Sequence, residues 1–406
     1  MAAHAISKLA RSFQRQLEYE EDGRGLVKLL DPEQWELTPM DLQNATLIER
    51  TATQHAGEVG GEVFSLYLLA AQAHKQGEPV RELELLLTTV KTWVQRYIEA
   101  PPHLSLRMLP LMMHLTVMAR KLAISQDESK RSEGVHDQCL KKLVEIQREV
   151  FQKLVREQKK KAGMIWTCCE LLRAYFRLGQ ISQCGFLLKS VASSVSKEAF
   201  IALELPKAIA VSFYFFWGKF CVFSHELRDA DEKLTWAFNN CPANSRKHRR
   251  NILLYLVPCK LRLGVLPTQD LLQKYNLAIF VGIVRAIRDG NVRLFSEKMQ
   301  EHAPVFLKMG TYLLMMKLKF YVWRNLCKGV HGEISKKLPE KDAHKLDLVN
   351  FEHVFNWQDD CNPDETACTL SNLIYTGAVK GYLSHEHRKL VFAKDNAFPP
   401  PAKWKM

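Results

Sequence analysis

The strongest constraint on this chain lies near its C-terminus, in PDETACTLSNLIYTGAVKGYLSHEHRKLVFAK, residues 363–394. Pro363 suits the first turn of a helix, and Asp364 and Glu365 complement the positive end of its dipole. Leu370, Leu373 and Ile374 then recur at helical spacing, and Gly377 provides a stop. Beyond it, Val379, Tyr382, Leu390 and Phe392 are strand-type residues on either side of the polar turn Ser384-His385-Glu386-His387. A helix that feeds a basic hairpin is the closing half of a winged helix. Such a module holds its helix out toward a nucleic-acid groove or a partner surface.

Upstream of this tail, strand-like alternation is nearly absent, and apolar residues recur every three or four positions. In YFFWGKFCVFSHELRDADEKLTWAFNNCP, the residues Gly218, Ala230, Leu234, Ala237 and Pro242 fit the small-small-large-small-Pro pattern of a tetratricopeptide (TPR) repeat. Gly218 and Ala230 would let two antiparallel helices touch, and Pro242 would end the second. A weaker copy places Tyr175, Gly179, Cys184, Leu188 and Val191 in corresponding positions. The expected fold is therefore all-α: a helical-repeat, TPR-like solenoid ending in a C-terminal winged helix with a small β-hairpin wing. The expected division is an N-terminal helical region over 1–130, helical repeats over 131–315, a winged helix over 316–398 and a tail over 399–406. Pro101-Pro102 should separate two helices, and Gly57–Gly61 should be a helix junction. Polar loops are expected at Gln126–Glu133 and Leu338–Asp347, with a basic connector at Cys241–Arg250. The run Arg156–Lys161 reads as a solvated helix face.

Composition narrows the class. Apolar residues form 47% of the 406 and charged residues 25%, which is a globular balance. The ten cysteines are scattered without CxxC spacing, as expected of free thiols in a reducing compartment. The apolar run Leu104–Ile124 contains Arg107, Pro110, His114, Arg120 and Lys121, so it reads as a buried helix, not a membrane span. The N-terminal segment, with Lys8, Arg11 and Arg15, reads as an amphipathic first helix entering the acidic stretch Glu18–Asp22. Net charge is +13, and between Arg246 and Lys328 sixteen Lys or Arg stand against four acids, a balance of +12. Charge so concentrated points to a polyanion, either nucleic acid or an acidic polypeptide.

Three further motifs carry a family resemblance. Asn251–Leu277 (NILLYLVPCKLRLGVLPTQDLLQKYNL), Trp323-Arg324-Asn325-Leu326 and Asn372–Pro400 together resemble the PCI-domain family, specifically its mRNA-export subunits and the related twelfth signalosome-associated subunit. The resemblance covers the C-terminal 230 residues or so, including the repeat around Gly218. It implies a non-enzymatic adaptor in a nuclear, pore-associated complex that couples transcription to mRNA export. There the subunit would pair with a larger PCI scaffold and a small, acidic, largely disordered clamp protein to form a hetero-oligomer with a basic RNA- or DNA-binding platform. The alternative is a structural PCI subunit of a signalosome-like or splicing-linked assembly that does not itself bind nucleic acid.

On this reading the wing supplies Lys380, His385, His387, Arg388 and Lys389 to phosphates, and Tyr382 stacks on a base or packs in the hairpin core. Arg324, Lys328, Lys336 and Lys337 extend the track along the preceding helix. Such contacts neutralise charge without reading sequence, so binding should be salt-sensitive. Arg246, Lys247, Arg249 and Arg250 are expected to meet the acidic partner or nucleic acid. Leu348, Phe351, Val354, Phe355 and Trp357 supply more apolar surface than one helix face needs, so Phe351 or Trp357 should meet a partner chain.

Catalysis finds no support. His385-Glu386-His387 lacks the upstream Glu and the downstream Ser and Asp that a metal isopeptidase uses to hold zinc and activate water. Gly57–Gly61 lacks the Lys-Ser/Thr of a phosphate loop, and no Ser or Cys sits in a nucleophile elbow. Neither a metal nor a cofactor is expected.

Overall fold

The computed structural model describes residues 2–19, 23–30, 44–130, 137–195, 205–339, 342–401 and 404. The chain forms two compact units, Met1–Phe216 and Trp217–Met406. It is an all-α protein in which helices pack on their sequence neighbours as in a helical-repeat solenoid, ending in a winged helix with a small sheet.

The first unit contains α1 (Ala2–Tyr19), α2 (Arg24–Leu29), α3 (Ala45–His55), α4 (Gly57–Gln76), α5 (Pro79–Glu99), α6 (Pro102–Ser129), α7 (Gln138–Arg156), α8 (Lys161–Leu178) and α9 (Ile181–Ser194). The amphipathic reading of α1 holds: Ile6, Ala10, Phe13 and Leu17 recur along one face and are buried. Phe13 meets Phe64 of α4 at 5.3 Å and Trp93 of α5 at 6.2 Å. Part of the acidic stretch after it, residues 20–22, lies outside the described residues. Of the junction expected over Gly57–Gly61, Gly57 turns the chain with φ +68° and the rest already belongs to α4, while Pro101-Pro102 does separate two helices, with Pro102 opening α6. Among the described residues no helix is long and apolar enough to cross a membrane.

Four local readings are corrected. The basic connector stops at Ser245, since Arg246–Arg250 is helical, and the polar loop stops before Lys345–Asp347, which is a strand; residues 340–341 lie outside the described residues. Gln126–Ser129 is not loop but the last turn of α6. Gln126 is buried and donates to the Pro79 carbonyl, while the Asp127 carboxylate accepts from the Cys139 and Leu140 amides, both at 2.9 Å. This part stays helical because its polar groups serve the ends of α5 and α7; residues 131–133 lie outside the described residues. Likewise Arg156–Lys161 is not a continuous solvated face. Helix α7 ends at Arg156, and Lys160, only 4% exposed, donates to the carbonyls of Tyr97, Ile98 and Ala100. A buried ammonium there satisfies the orphan carbonyls at the end of α5.

Helix α10 (Lys207–Phe223) and α11 (Leu227–Asn240) form the repeat hairpin read from Gly218. A Cβ at Gly218 would lie 2.7 Å from the Leu234 side chain, and Ala230, Leu234 and Ala237 are fully buried. The copy around Gly179 is also a helical hairpin, α8 to α9, but its glycine works differently. It sits past the end of α8 with φ +70°, closing the helix in the left-handed conformation.

The second unit continues with α12 (Arg246–Arg262), α13 (Gln269–Lys274), α14 (Val281–Asp289), α15 (Val292–Met309), α16 (Tyr312–Met316) and α17 (Lys319–Ser335). There follow β1 (Lys345–Asp347), α18 (Leu348–Asp359), α19 (Pro363–Tyr375), β2 (Gly381–Ser384) and β3 (Lys389–Phe392). The three strands are antiparallel in the order β1-β3-β2, with Leu346 opposite Leu390 and Tyr382 opposite Val391. Helices α17, α18 and α19 with this sheet make the winged helix. Its core brings together Phe351, Phe355 and Phe392, all at most 2% exposed, and Trp323 tilts onto Phe355 at 4.4 Å. Burying each such ring contributes on the order of 2–3 kcal/mol.

Candidate nucleic-acid and partner interface

The wing is built from the hairpin β2–β3. Its turn, His385–Arg388, closes with the Arg388 amide donating to the His385 carbonyl at 3.2 Å, and Arg388 takes φ 49°. His385, Glu386, His387, Arg388 and Lys389 are all exposed. Two of the cations already have acidic partners. Arg388 donates to Glu352 of α18 at 2.6 Å, and Lys389 lies 3.8 Å from Asp347 at the end of β1. Lys380 precedes the hairpin, exposed and with no ion pair among the described residues. Its backbone is pinned by the Ala397 carbonyl at 2.8 Å and the Ala393 amide at 2.9 Å. Tyr382 is 62% exposed, so it is not hairpin core.

Along α17 and just past its end the expected track divides. Lys328 and Lys337 are exposed without ion pairs among the described residues, and Lys336 is held by Glu333 at 2.8 Å, one turn away. Arg324 belongs to the interior. It donates to the Phe398 carbonyl at 2.8 Å, lies over the Phe398 and Trp404 rings, and is held below its ordinary pKa by burial. The rest of its motif is equally internal: Asn325 donates to the Ile287 carbonyl at 2.6 Å, and Leu326 lies against Gly290, where a Cβ would come within 2.5 Å. The Trp-Arg-Asn-Leu signature is thus a set of ties from α17 to α18, to α14 and to the segment after the wing. Trp404 completes that segment, tilted against Tyr321 at 4.7 Å and donating to the Pro399 carbonyl at 3.0 Å.

The outward helix of the winged helix, α19, is opened by a reciprocal cap. The Asn362 side chain accepts from the Glu365 amide, and the Glu365 carboxylate accepts from the Asn362 amide. Its exposed residues are Pro363, Asp364, Glu365, Cys368, Ser371, Asn372 and Tyr375. That face carries two carboxylates and no cation. A helix of this charge is poorly matched to a phosphate-lined groove, so the cations that could contact phosphate lie on the wing and α17.

Within Arg246–Arg250, the two outer residues and the two inner ones separate. Arg246 and Lys247 are exposed. Arg249 donates twice to the Cys241 carbonyl, at 2.6 and 3.0 Å, and to the Tyr275 hydroxyl at 3.2 Å, and it stacks over Phe238. Arg250 donates to the Asn276 carbonyl at 3.3 Å. Elsewhere in the basic segment Lys260 pairs with Asp231 at 2.8 Å and Lys319 with Asp359 at 2.6 Å. The charge counted along the sequence is therefore partly spent on helix ends and ion pairs.

The two apolar candidates on α18 also separate. Phe351 is fully buried and packs toward Phe392 at 6.1 Å; the expectation of a partner contact there is corrected to core. Trp357 is 64% exposed, and Arg293 lies over it at 5.4 Å while donating to its carbonyl. Arg293 escaped the sequence reading, as did the exposed Leu307, Leu313 and Tyr375. Helical spacing could have flagged Trp357, because it falls on the opposite side of α18 from Leu348. Nothing local marks Arg293, since its partner is sixty-four residues away. Among the described residues no group of three His, Cys, Asp or Glu side chains gathers as a metal site.

No family model matches the chain. Individual relatives do. A PCI domain-containing protein 2 from Xenopus laevis is 34% identical over 72% of this chain and 73% of its own length. A PCI domain-containing protein 2 homolog from Drosophila melanogaster is 38% identical over 60% of this chain and 59% of its own. The Enhanced ethylene response protein 5 of Arabidopsis thaliana is 35% identical over 69% and 67%. With a winged helix closing a helical repeat, and with identity sustained over nearly three quarters of both chains, this protein belongs to the PCI domain-containing protein 2 family.

Proposed function

We propose that this chain is a non-enzymatic adaptor subunit of a nuclear, transcription-coupled mRNA-export complex. In this reading it pairs through its winged helix with a larger PCI scaffold, and a small acidic protein docks on Arg246 and Lys247. The wing and α17 then add cations to a shared RNA- or DNA-binding platform. The observation that carries this reading is the set of exposed Lys380, Lys328 and Lys337, without ion pairs among the described residues, on a winged helix whose outward helix bears no cation. A protein with that distribution holds phosphates from its wing side and leaves α19, with Tyr375, for a protein neighbour.

A second reading has its own support. Arg388 and Lys389 already have acidic partners, which favours a purely structural PCI subunit of a signalosome-like or splicing-linked assembly. Affinity purification of the tagged chain at moderate salt separates the two. Recovery of a second PCI scaffold, a small acidic protein and nuclear-pore components supports the export reading. Recovery of signalosome or splicing subunits overturns it.

A further inference from the structure

A second candidate site lies in the first unit. On α7, Lys141, Val144, Glu145 and Arg148 follow one another at spacings of three and four residues, so they share one face. That face and the turn from α8 to α9 line an open cleft with a cavity volume of about 390 Å³. From the turn side, Ser182 and Gln183 belong to the first turn of α9, a helix of 14 residues. No side chain caps that turn and no acid lies in it; the Gln183 amide turns back to the Gln180 carbonyl at 3.2 Å, and the positive end of the helix dipole favours an anion. The turn takes this path because Gly179 closes α8 in the left-handed conformation and the Gln180 amide returns to the Tyr175 carbonyl at 2.9 Å.

Tyr175 supplies an independent pointer. It lines the cleft, is only 2% exposed, and its hydroxyl makes no hydrogen bond within the described residues. Arg148 stands close enough that its charge works against the upward pull of burial on the Tyr175 pKa. Neither Lys141 nor Arg148 has an ion pair among the described residues, and both are exposed. Two cations, the hydroxyl of an otherwise buried tyrosine and a helix start without a side-chain cap converge on one cleft. Among the described residues Glu145 is the only acid lining it. One turn further along α9, three residues past Gln183, Phe186 is 64% exposed.

We propose that this cleft binds a phosphate monoester carried on a side chain of a partner polypeptide. The guanidinium of Arg148 and the ammonium of Lys141 hold the dianion, Tyr175 donates to it, and the first turn of α9 faces it. Phe186 covers an apolar residue beside the modified one. A phosphate at neutral pH carries close to two charges and three acceptor oxygens, which this donor set suits better than a single carboxylate.

The test uses the full chain with two probes: a short capped phosphoserine peptide with flanking leucines, and inorganic phosphate. Titration calorimetry should show the phosphopeptide binding and its unphosphorylated form not binding. Arg148→Ala and Lys141→Ala, both at exposed positions, should each weaken it by about tenfold, the effect of one charge-assisted hydrogen bond. Phe186→Ala should weaken the peptide and leave inorganic phosphate unchanged. Glu145→Gln should strengthen binding, by removing a like charge. Binding that survives Arg148→Ala combined with Lys141→Ala overturns the site, since the anion is then held elsewhere on this basic chain. Inorganic phosphate binding as tightly as the peptide overturns the peptide source. A loss of affinity in Glu145→Gln overturns the phosphate assignment, because Glu145 would then be meeting a donor on the ligand.

Discussion

Arg388, at the end of the wing turn, places its Nη2 2.6 Å from Oε1 of Glu352 on α18. The wing is thereby tied to the helix it flanks, and one of its cations is engaged before any ligand arrives. Arg388 is 54% exposed, so the pair contributes at most about 1 kcal/mol to stability. Glu352→Gln should leave thermal unfolding within a few degrees of the parent, yet raise RNA affinity at low salt by roughly two- to fivefold as Arg388 is released. Unchanged affinity would remove Arg388 from the phosphate-contacting set.

Arg324 makes the opposite prediction, a loss of structure. Its guanidinium serves the Phe398 carbonyl and two aromatic rings, and nothing else described replaces it. Arg324→Ala should cost about 2–3 kcal/mol, the range for stripping a charged donor from buried acceptors. The segment around Phe398 and Trp404 should become open to limited proteolysis. Arg324→Lys should not restore protection, because one ammonium cannot reproduce the flat fork over both rings.

His331 predicts the pH dependence. It lies against Phe392 at 4.4 Å and Phe398 at 5.4 Å, and burial holds its pKa below the ordinary 6.5. The unfolded chain therefore takes up this proton at higher pH than the folded one. Stability from neutral His331 is complete above the unfolded value and is lost as pH falls below it toward the folded value. Denaturant unfolding followed from about pH 7.5 to 5 should show a smaller loss in His331→Gln than in the parent. An equal loss in both would assign the pH dependence to other groups.

Gly218 tests the repeat hairpin. A Cβ there would lie 2.7 Å from Leu234, a contact that forces one helix away from the other. Gly218→Val should destabilise by about 1–3 kcal/mol, whereas Gly179→Asn, at a left-handed helix end with open space, should cost far less. Comparable losses at both positions would contradict the separate roles assigned to these glycines.

Much of the fold was legible because local rules and tertiary packing agree. The helix start at Pro363-Asp364-Glu365, the spacing of Leu370 and Leu373, and the strand residues around His385–His387 all point to the structure that forms. The site was less legible, because the role of a cation depends on what lies far along the chain. Arg324 and Lys328 are one helical turn apart and equally basic. One meets a carbonyl seventy-four residues away and the other meets solvent. Phe351 and Trp357 share a helix with opposite fates, which periodicity distinguishes only once the core face is known. Lys160 lost its expected exposure for the same reason: the carbonyls it caps belong to another helix.

The most direct test of the central claim uses the cations that have no ion pair among the described residues, so that charge reversal breaks none of the ion pairs described. Lys380→Glu, Lys328→Glu and Lys337→Glu should be combined and the complex assembled with its captured partners, then titrated with single-stranded RNA across a salt series. The account predicts intact assembly, an affinity reduced by at least about tenfold at low salt, and a shallower salt dependence, as phosphate contacts are removed. Unchanged RNA affinity and an unchanged salt slope in an intact complex would contradict it and leave the winged helix as a protein-docking module.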